Sequence, residues 1–528
     1  MKTIVSVFLS LTWFLFTSLA LSQERAGKLG TVHFLVSCNA EAQKGFNRAV
    51  ALLHSFWTGS SLKAFTAITD TDPGCAMGYW GIAMSLLENP LANVPRAPAL
   101  KRGWTAVEKA KFIGAKTERE RDYIAAIEVL YKDSDKLDHS TRSLAYEKAM
   151  ERLYLSYPED REAAIFYALA LNMTVDRTDK TYANPLKAAE ILEKVFEKQP
   201  EHPGAAHYLI HSYDYPPIAH RGLTAARRYA KIAPSVPHVL HMPSHIFTQL
   251  GMWQESIQSN RAAAAAAAKE GDVGQQFHAT SFLAYAYLQG AQDLEAKRVL
   301  DELNAIQKFE EVQAVAMFYA GIPARYALER RAWSEAASLE LYPSAFPWSR
   351  FPQAETMIYF ARALGSARSG NAVSAGKDLE KLQSLRDALV KAKDKDRYQV
   401  EIQRLAAAAW LVRAEGRKDE ALNLMRSAAE LEDSSEARSV AQIVFAHELL
   451  GEMLIERGEP AKALREFETS LQAEPNRFRG LYGAAKAAEL SGDREKARTY
   501  YAKLVAICER ADTERPELRE AKAFLAKK

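Results

Sequence analysis

The run Leu450-Gly451-Glu452-Met453-Leu454-Ile455-Glu456-Arg457-Gly458 is followed by Ala463, Phe467 and Pro475, and its reading decides the fold. Thirty-four residues beyond Gly451, Leu454, Ala463 and Phe467 stand Ala485, Ala488, Ala497 and Tyr501. Turn glycines recur at Gly416, Gly458 and Gly492, each five residues before an alanine (Ala421, Ala463, Ala497). Two amphipathic helices joined by a glycine turn explain this spacing. The small residues let the two helices cross closely, the aromatic fills the gap toward the next pair, and proline opens the following helix. The pattern predicts an all-α chain of stacked helix pairs.

Weaker copies lie upstream. Phe65, Ile68 and Pro73 hold similar offsets, as do Ala188, Leu192, Val195 and Pro200, and then Ala225, Tyr229, Ile232 and Pro237. Gly251 with Ser256, and Gly290 with Ala296, continue the series. These residues resemble the tetratricopeptide-repeat family, whose period and pattern they share. The resemblance implies a right-handed superhelical solenoid of antiparallel helix pairs. Such solenoids hold a protein or peptide partner in a concave groove lined by the first helix of each pair. The reading divides the chain into a leader at 1–22, a degenerate array at 23–306, less regular helical repeats at 307–404, and a clean array at 405–528.

Composition agrees with helix. Glycine numbers only 25 and proline 20 in 528 residues, and Ala262–Ala268 is an unbroken alanine run. Lys plus Arg total 69 against 66 for Asp plus Glu, so the charge balance offers no argument for a nucleic-acid partner. The sequence contains no P-loop, no dinucleotide-binding glycine motif, no G-x-S-x-G elbow and no C-x-x-C pair.

Lys2, the charge-free run from Ile4 to Ala20 and the small residues Ser18, Ala20 and Ser22 have the parts of a secretory signal peptide. An exported, periplasmic or secreted protein is therefore expected, with no membrane partner once the leader is cleaved. That compartment permits disulfides. In the repeat register Cys38 and Cys75 precede the first helices of neighbouring pairs, which makes them the candidate bridge, and Cys508 is left over.

Seven of the 12 histidines fall between 202 and 245, a density that calls for a reason. His207, His211 and Asp214 have offsets of four and seven behind Pro203, which puts them on one face of a helix. His238, His241 and His245 have offsets of three and seven, but Pro243 interrupts them. Either they align, or the helix starts at Pro243 and leaves His238 and His241 in the loop before it. The register makes these two segments first helices of consecutive pairs, so the six side chains are the candidate metal ligands, suited to zinc or copper. The competing reading has them as hydrogen-bonding packing groups beside Tyr208, Tyr213 and Tyr215. His54 and His278 read as core or groove histidines.

The motifs His202-Pro-Gly-Ala-Ala-His-Tyr-Leu-Ile-His-Ser-Tyr-Asp214, Leu240-His-Met-Pro-Ser-His-Ile-Phe247 and Asp72-Pro-Gly-Cys-Ala-Met-Gly-Tyr-Trp-Gly81 resemble a narrower group of secreted bacterial tetratricopeptide-repeat proteins. That resemblance carries compartment and architecture and supplies no reaction. The leading expectation is an exported scaffold that binds a protein or peptide, with a metal on its histidine segment. The competing one is an extracytoplasmic metalloenzyme in which that metal activates water or oxygen.

Overall fold

The computed structural model describes residues 27–92, 94–176, 179–306, 308–394, 396–434, 442–443 and 445–527. The leader expected at 1–22 lies outside them. Among the described residues every regular element is helical. Consecutive helices pack as antiparallel pairs, from Ala40–His54 on Thr58–Thr71 to Phe478–Leu490 on Arg494–Ile507. First helices also touch one another: Val273–Gln289, Gln313–Glu329, Pro352–Arg368, Arg397–Ala414, Ala446–Glu456 and Phe478–Leu490 form one continuous layer. The fold is an all-α solenoid of helix pairs.

The residues that reveal the period also build it. A Cβ on Gly451 would come within 2.7 Å of the Phe467 ring, and one on Gly483 within 2.1 Å, so this aromatic wedges between two first helices only because both positions are glycine. Phe65 meets Gly81 in the same way, at 2.1 Å. Gly416, Gly458 and Gly492 turn the chain at φ 88°, 76° and 83°, in the left-handed region that glycine enters without steric cost. The stack continues through 313–414. There one second helix shrinks to Trp333–Ala337, and Phe346, Trp348 and Phe351 cluster in the loop after it, which explains the poor register of that stretch.

The chain divides into two compact units. The first comprises residues through Thr174 with Glu190–Tyr208 and Arg228–Val239. Its extended segment 27–38 runs as a strap past the starts of successive first helices. Lys28 pairs with Glu201 (3.1 Å), the Thr31 N–H donates to the Glu201 carbonyl (2.9 Å), and the Ser37 N–H and hydroxyl both donate to Glu120. Phe34 is buried against Phe46, Trp80 and Tyr123, and Cys38 is disulfide-bonded to Cys75 with Cα atoms 4.9 Å apart.

The second unit comprises Val175–Ala189, Leu209–Arg227 and Leu240 onward. Its last repeats return to its first: the Trp253 indole N–H donates to the Asn476 carbonyl (2.8 Å), and Arg515 pairs with Asp293. Buried Arg477 donates to Glu448 (2.8 and 3.0 Å), Glu329 (2.9 Å) and the Tyr285 hydroxyl (2.7 Å). The cavity beside this network is about 20 Å³, room for a water molecule. A peptide in that space would have to displace the Arg477 ion pairs. No helix among the described residues is long and apolar enough to cross a membrane.

Candidate metal centre

In the first unit the histidines surround a carboxylate. Glu162 sits in the first turn of the otherwise apolar helix Arg161–Met173, which Asp160 caps. Its buried carboxylate accepts from His54 Nε2 (2.8 Å) on one oxygen and from His202 Nε2 (2.9 Å) on the other. The Ala205 N–H donates to His202 Nδ1 (3.3 Å), which puts the His202 proton on Nε2. His54 Nδ1 meets the Tyr208 hydroxyl (3.1 Å). His207 donates its Nδ1 proton to the His54 carbonyl (2.6 Å), leaving Nε2 to accept from His238 Nε2 (3.2 Å). Burial opposes ionisation of Glu162, yet the facing imidazoles of His202 and His54 outweigh it and hold this carboxyl far below the usual range. Burial also lowers His54, against the pull of Glu162.

The second unit arranges its imidazoles differently. The 237–249 segment is two short helices, Pro237–His241 and Pro243–Gln249. His238 and His241 are thus helical rather than in a loop, because proline at the first position of the second helix breaks the ladder without preventing a turn before it. His241 Nδ1 lies 2.7 Å from Asn260 Oδ1. The Asn260 amide nitrogen donates to the Ser256 carbonyl (2.8 Å), so its oxygen is the atom facing His241, and His241 donates from Nδ1. His245 Nδ1 lies 2.7 Å from Asp214 Oδ2, and Gln249 holds the other Asp214 oxygen (2.9 Å). Burial opposes ionisation of Asp214, but His245 and Gln249 prevail and keep its pKa lowered, so His245 too donates from Nδ1. The two Nε2 atoms that remain are 3.0 Å apart.

His278, from Val273–Gln289, completes the group: ligand atoms of His241, His245 and His278 all lie within 4.8 Å of one another. Burial, and then nearby His245, push His278 down to about 3. The Phe282 ring packs against all three imidazoles, with centroids at 4.7, 5.0 and 5.3 Å. His211 lies beside His245, ring centroids 5.9 Å apart. His220 is exposed and belongs to neither group.

The six residues singled out in the sequence are thus shared between the units, with His207 and His238 in the first and His211, Asp214, His241 and His245 in the second. Asp214 is not aligned with His207 and His211 along a helix face, because the helix Pro203–Ser212 ends before it. Glu162, Asn260 and Gln249 were not apparent from the sequence. A glutamate in the first turn of a helix is an ordinary dipole-favoured residue, so Glu162 gave no signal beyond its apolar surroundings.

No protein-family model matches the chain, and no curated protein matches it. Among solved structures it is similar to a tetratricopeptide repeat protein from Parabacteroides merdae, at 15% identity and TM-score 0.30 over 56% of this chain and 98% of that one. It is also similar to the human IFIT1 dimer with m7Gppp-AAAA, at 12% identity and TM-score 0.39 over 82% and 90%. A third likeness is to Naa15/Naa10 bound to HypK-THB, at 13% identity and TM-score 0.25 over 96% and 73%.

Proposed function

We propose that the chain is an exported helical-repeat scaffold that engages a protein or peptide partner and holds a transition metal ion on its histidine-bearing repeats. The observation that carries the metal is the convergence of three imidazoles, His241, His245 and His278, with ligand atoms within 4.8 Å of one another. Two of them are oriented by hydrogen-bonded oxygen acceptors on Asp214 and Asn260, as metal-ligating histidines commonly are. Zinc and copper both suit imidazole donors. Export is supported by the leader pattern at 1–22, and the Cys38–Cys75 bridge suits an oxidising compartment. Partner binding is the customary work of a helix-pair solenoid.

Elemental analysis of the purified mature protein tests the reading. One equivalent of zinc or copper supports it, and less than a tenth of an equivalent after reloading overturns it. A metalloenzyme is the second reading. Three histidines leave one position of a four-coordinate ion free for water, the arrangement that metal-assisted hydrolysis uses.

A further inference from the structure

The first unit already holds one extended peptide, the strap of its own chain. We propose that the first-helix side of this unit is a docking site for an extended segment of a partner protein that carries an inward-facing aromatic residue, and that segment 31–37 is a built-in competitor occupying it. This inference rests on the scaffold reading for the existence of a partner, and adds to it a place, a peptide chemistry and a means of regulation.

Segment 31–37 is held as a ligand is held. Val32 and Phe34 are buried while Thr31, His33 and Leu35 face outward, Leu35 at 77% exposure, which is the period-two alternation of an extended peptide lying on a surface. Side chains read its backbone. The Phe34 N–H donates to Asn47 Oδ1 (2.9 Å) and the Val36 N–H to Gln43 Oε1 (2.9 Å), while Gln43 Nε2 donates back to the Phe34 carbonyl (3.0 Å). Arg119 donates to the Leu35 carbonyl (3.0 Å), and Glu120 accepts the Ser37 N–H. Bonds to the main chain give affinity that is indifferent to sequence, and the inward side chains supply the selection. The selecting residue here is Phe34. Its ring contacts those of Phe46, Trp80 and Tyr123, with the Arg119 guanidinium over it at 4.6 Å.

The groups that hold the strap are positioned by bonds that do not involve it. Gln43, Phe46 and Asn47 share one face of the helix Ala40–His54 by their offsets of three and four. Trp80 packs against Tyr123 with ring centroids 5.6 Å apart. Asp160 accepts from Arg119 Nε (2.6 Å) and from the Tyr123 hydroxyl (2.9 Å), so a helix cap fixes both. The covalent tie of the strap is at its end, Cys38 to Cys75, so residues 31–37 can lift as an arm while the bridge stays closed. A tethered arm competes at an effective concentration on the order of millimolar. It keeps out weak peptides and yields to a tighter partner.

The test uses the full mature chain. Val32→Ala with Phe34→Ala keeps the bridge and loosens the arm. A fluorescent peptide of residues 27–37 should bind this double variant one to one, and the wild type at least about 10-fold more weakly. The same peptide with His33→Lys and Leu35→Ser should bind equally well, because those positions face outward. With Phe34→Ala it should bind about 30-fold more weakly, the loss of an aromatic anchor. In the wild type, the Phe34, Val36 and Ser37 amides should exchange hydrogen at least about 100-fold faster than the core amides of Arg161–Met173, since the arm opens without global unfolding. Circular dichroism checks that the double variant folds, and if it does not, the wild-type exchange decides alone. Strap amides that exchange no faster than the core make the strap a fixed part of the fold and overturn the proposal. So does a folded double variant that binds no peptide, or one that dimerises by exchanging straps with a second copy. Each of these failures leaves the scaffold reading standing, because elemental analysis tests that reading separately.

Discussion

In the first unit His202 receives a backbone N–H on Nδ1 and gives its Nε2 proton to Glu162. In the second, His245 gives its Nδ1 proton to Asp214 and sets its Nε2 3.0 Å from that of His241. Both groups hold three candidate ligands within 4.8 Å of one another, and both lie on first helices or the loops before them. They differ in which ring nitrogen the surroundings occupy. A carboxylate at the centre makes an acid–base lock that is complete by itself. A carboxylate behind the imidazole orients it and leaves its other ring nitrogen facing a second imidazole. Proximity of histidines therefore says little about metal until their outer hydrogen bonds are known.

The largest expected effect breaks the lock in the first unit. Glu162→Gln retains one acceptor oxygen for two imidazole N–H donors, and His202 cannot switch tautomer while Ala205 donates to its Nδ1. The loss should be about 3 kcal/mol in urea denaturation, with zinc content unchanged. The effect depends on pH with a definite sign. The folded-state pKa of Glu162 is depressed, so its contribution is complete above the ordinary unfolded value of about 4.3 and is lost as the pH falls below that. The stability gap between wild type and Glu162→Gln should narrow below about pH 4.

The second effect belongs to the other group. Zinc at 100 times its dissociation constant should stabilise the wild type by about 2.7 kcal/mol, read as a raised melting temperature. His278→Gln should show no such rise at the same zinc concentration. Asp214→Asn sharpens the contrast further. Its 10–100-fold weaker binding corresponds to about 1.4–2.8 kcal/mol of lost zinc stabilisation, reached in full when zinc is well above both dissociation constants. The smallest effect is Tyr208→Phe, which removes the hydroxyl at His54 Nδ1. It should cost about 1 kcal/mol in denaturation and leave zinc affinity untouched.

The fold was legible because its cause is local. Gly451 and Phe467 are read as part of one spacing in the sequence, and in space Phe467 wedges against Gly451 and Gly483. The histidine excess was equally visible, but its partition was not. Asp214 lies past the helix end at Ser212, where helical offsets no longer predict a shared face, and it turns instead to His245 on a later helix. Glu162 reaches His54 across 108 positions, and no period relates the two. His278 and Asn260 join the second group through stacking of neighbouring pairs, which sets contacts that the two motifs do not contain. The strap at 27–38 has no helical period and was silent for that reason. So was the return of Arg477 and Arg515 to Tyr285 and Asp293, which depends on the pitch of the second unit.

The central claim is that outer hydrogen bonds, and not histidine density, choose where the metal goes. Crystals soaked in zinc and measured at the zinc absorption edge test it most directly. One anomalous peak is expected in each chain, at bonding distance of about 2.0–2.1 Å from nitrogens of His241, His245 and His278. A peak among His54, Glu162 and His202, or an empty second group in zinc-saturated crystals, would contradict it.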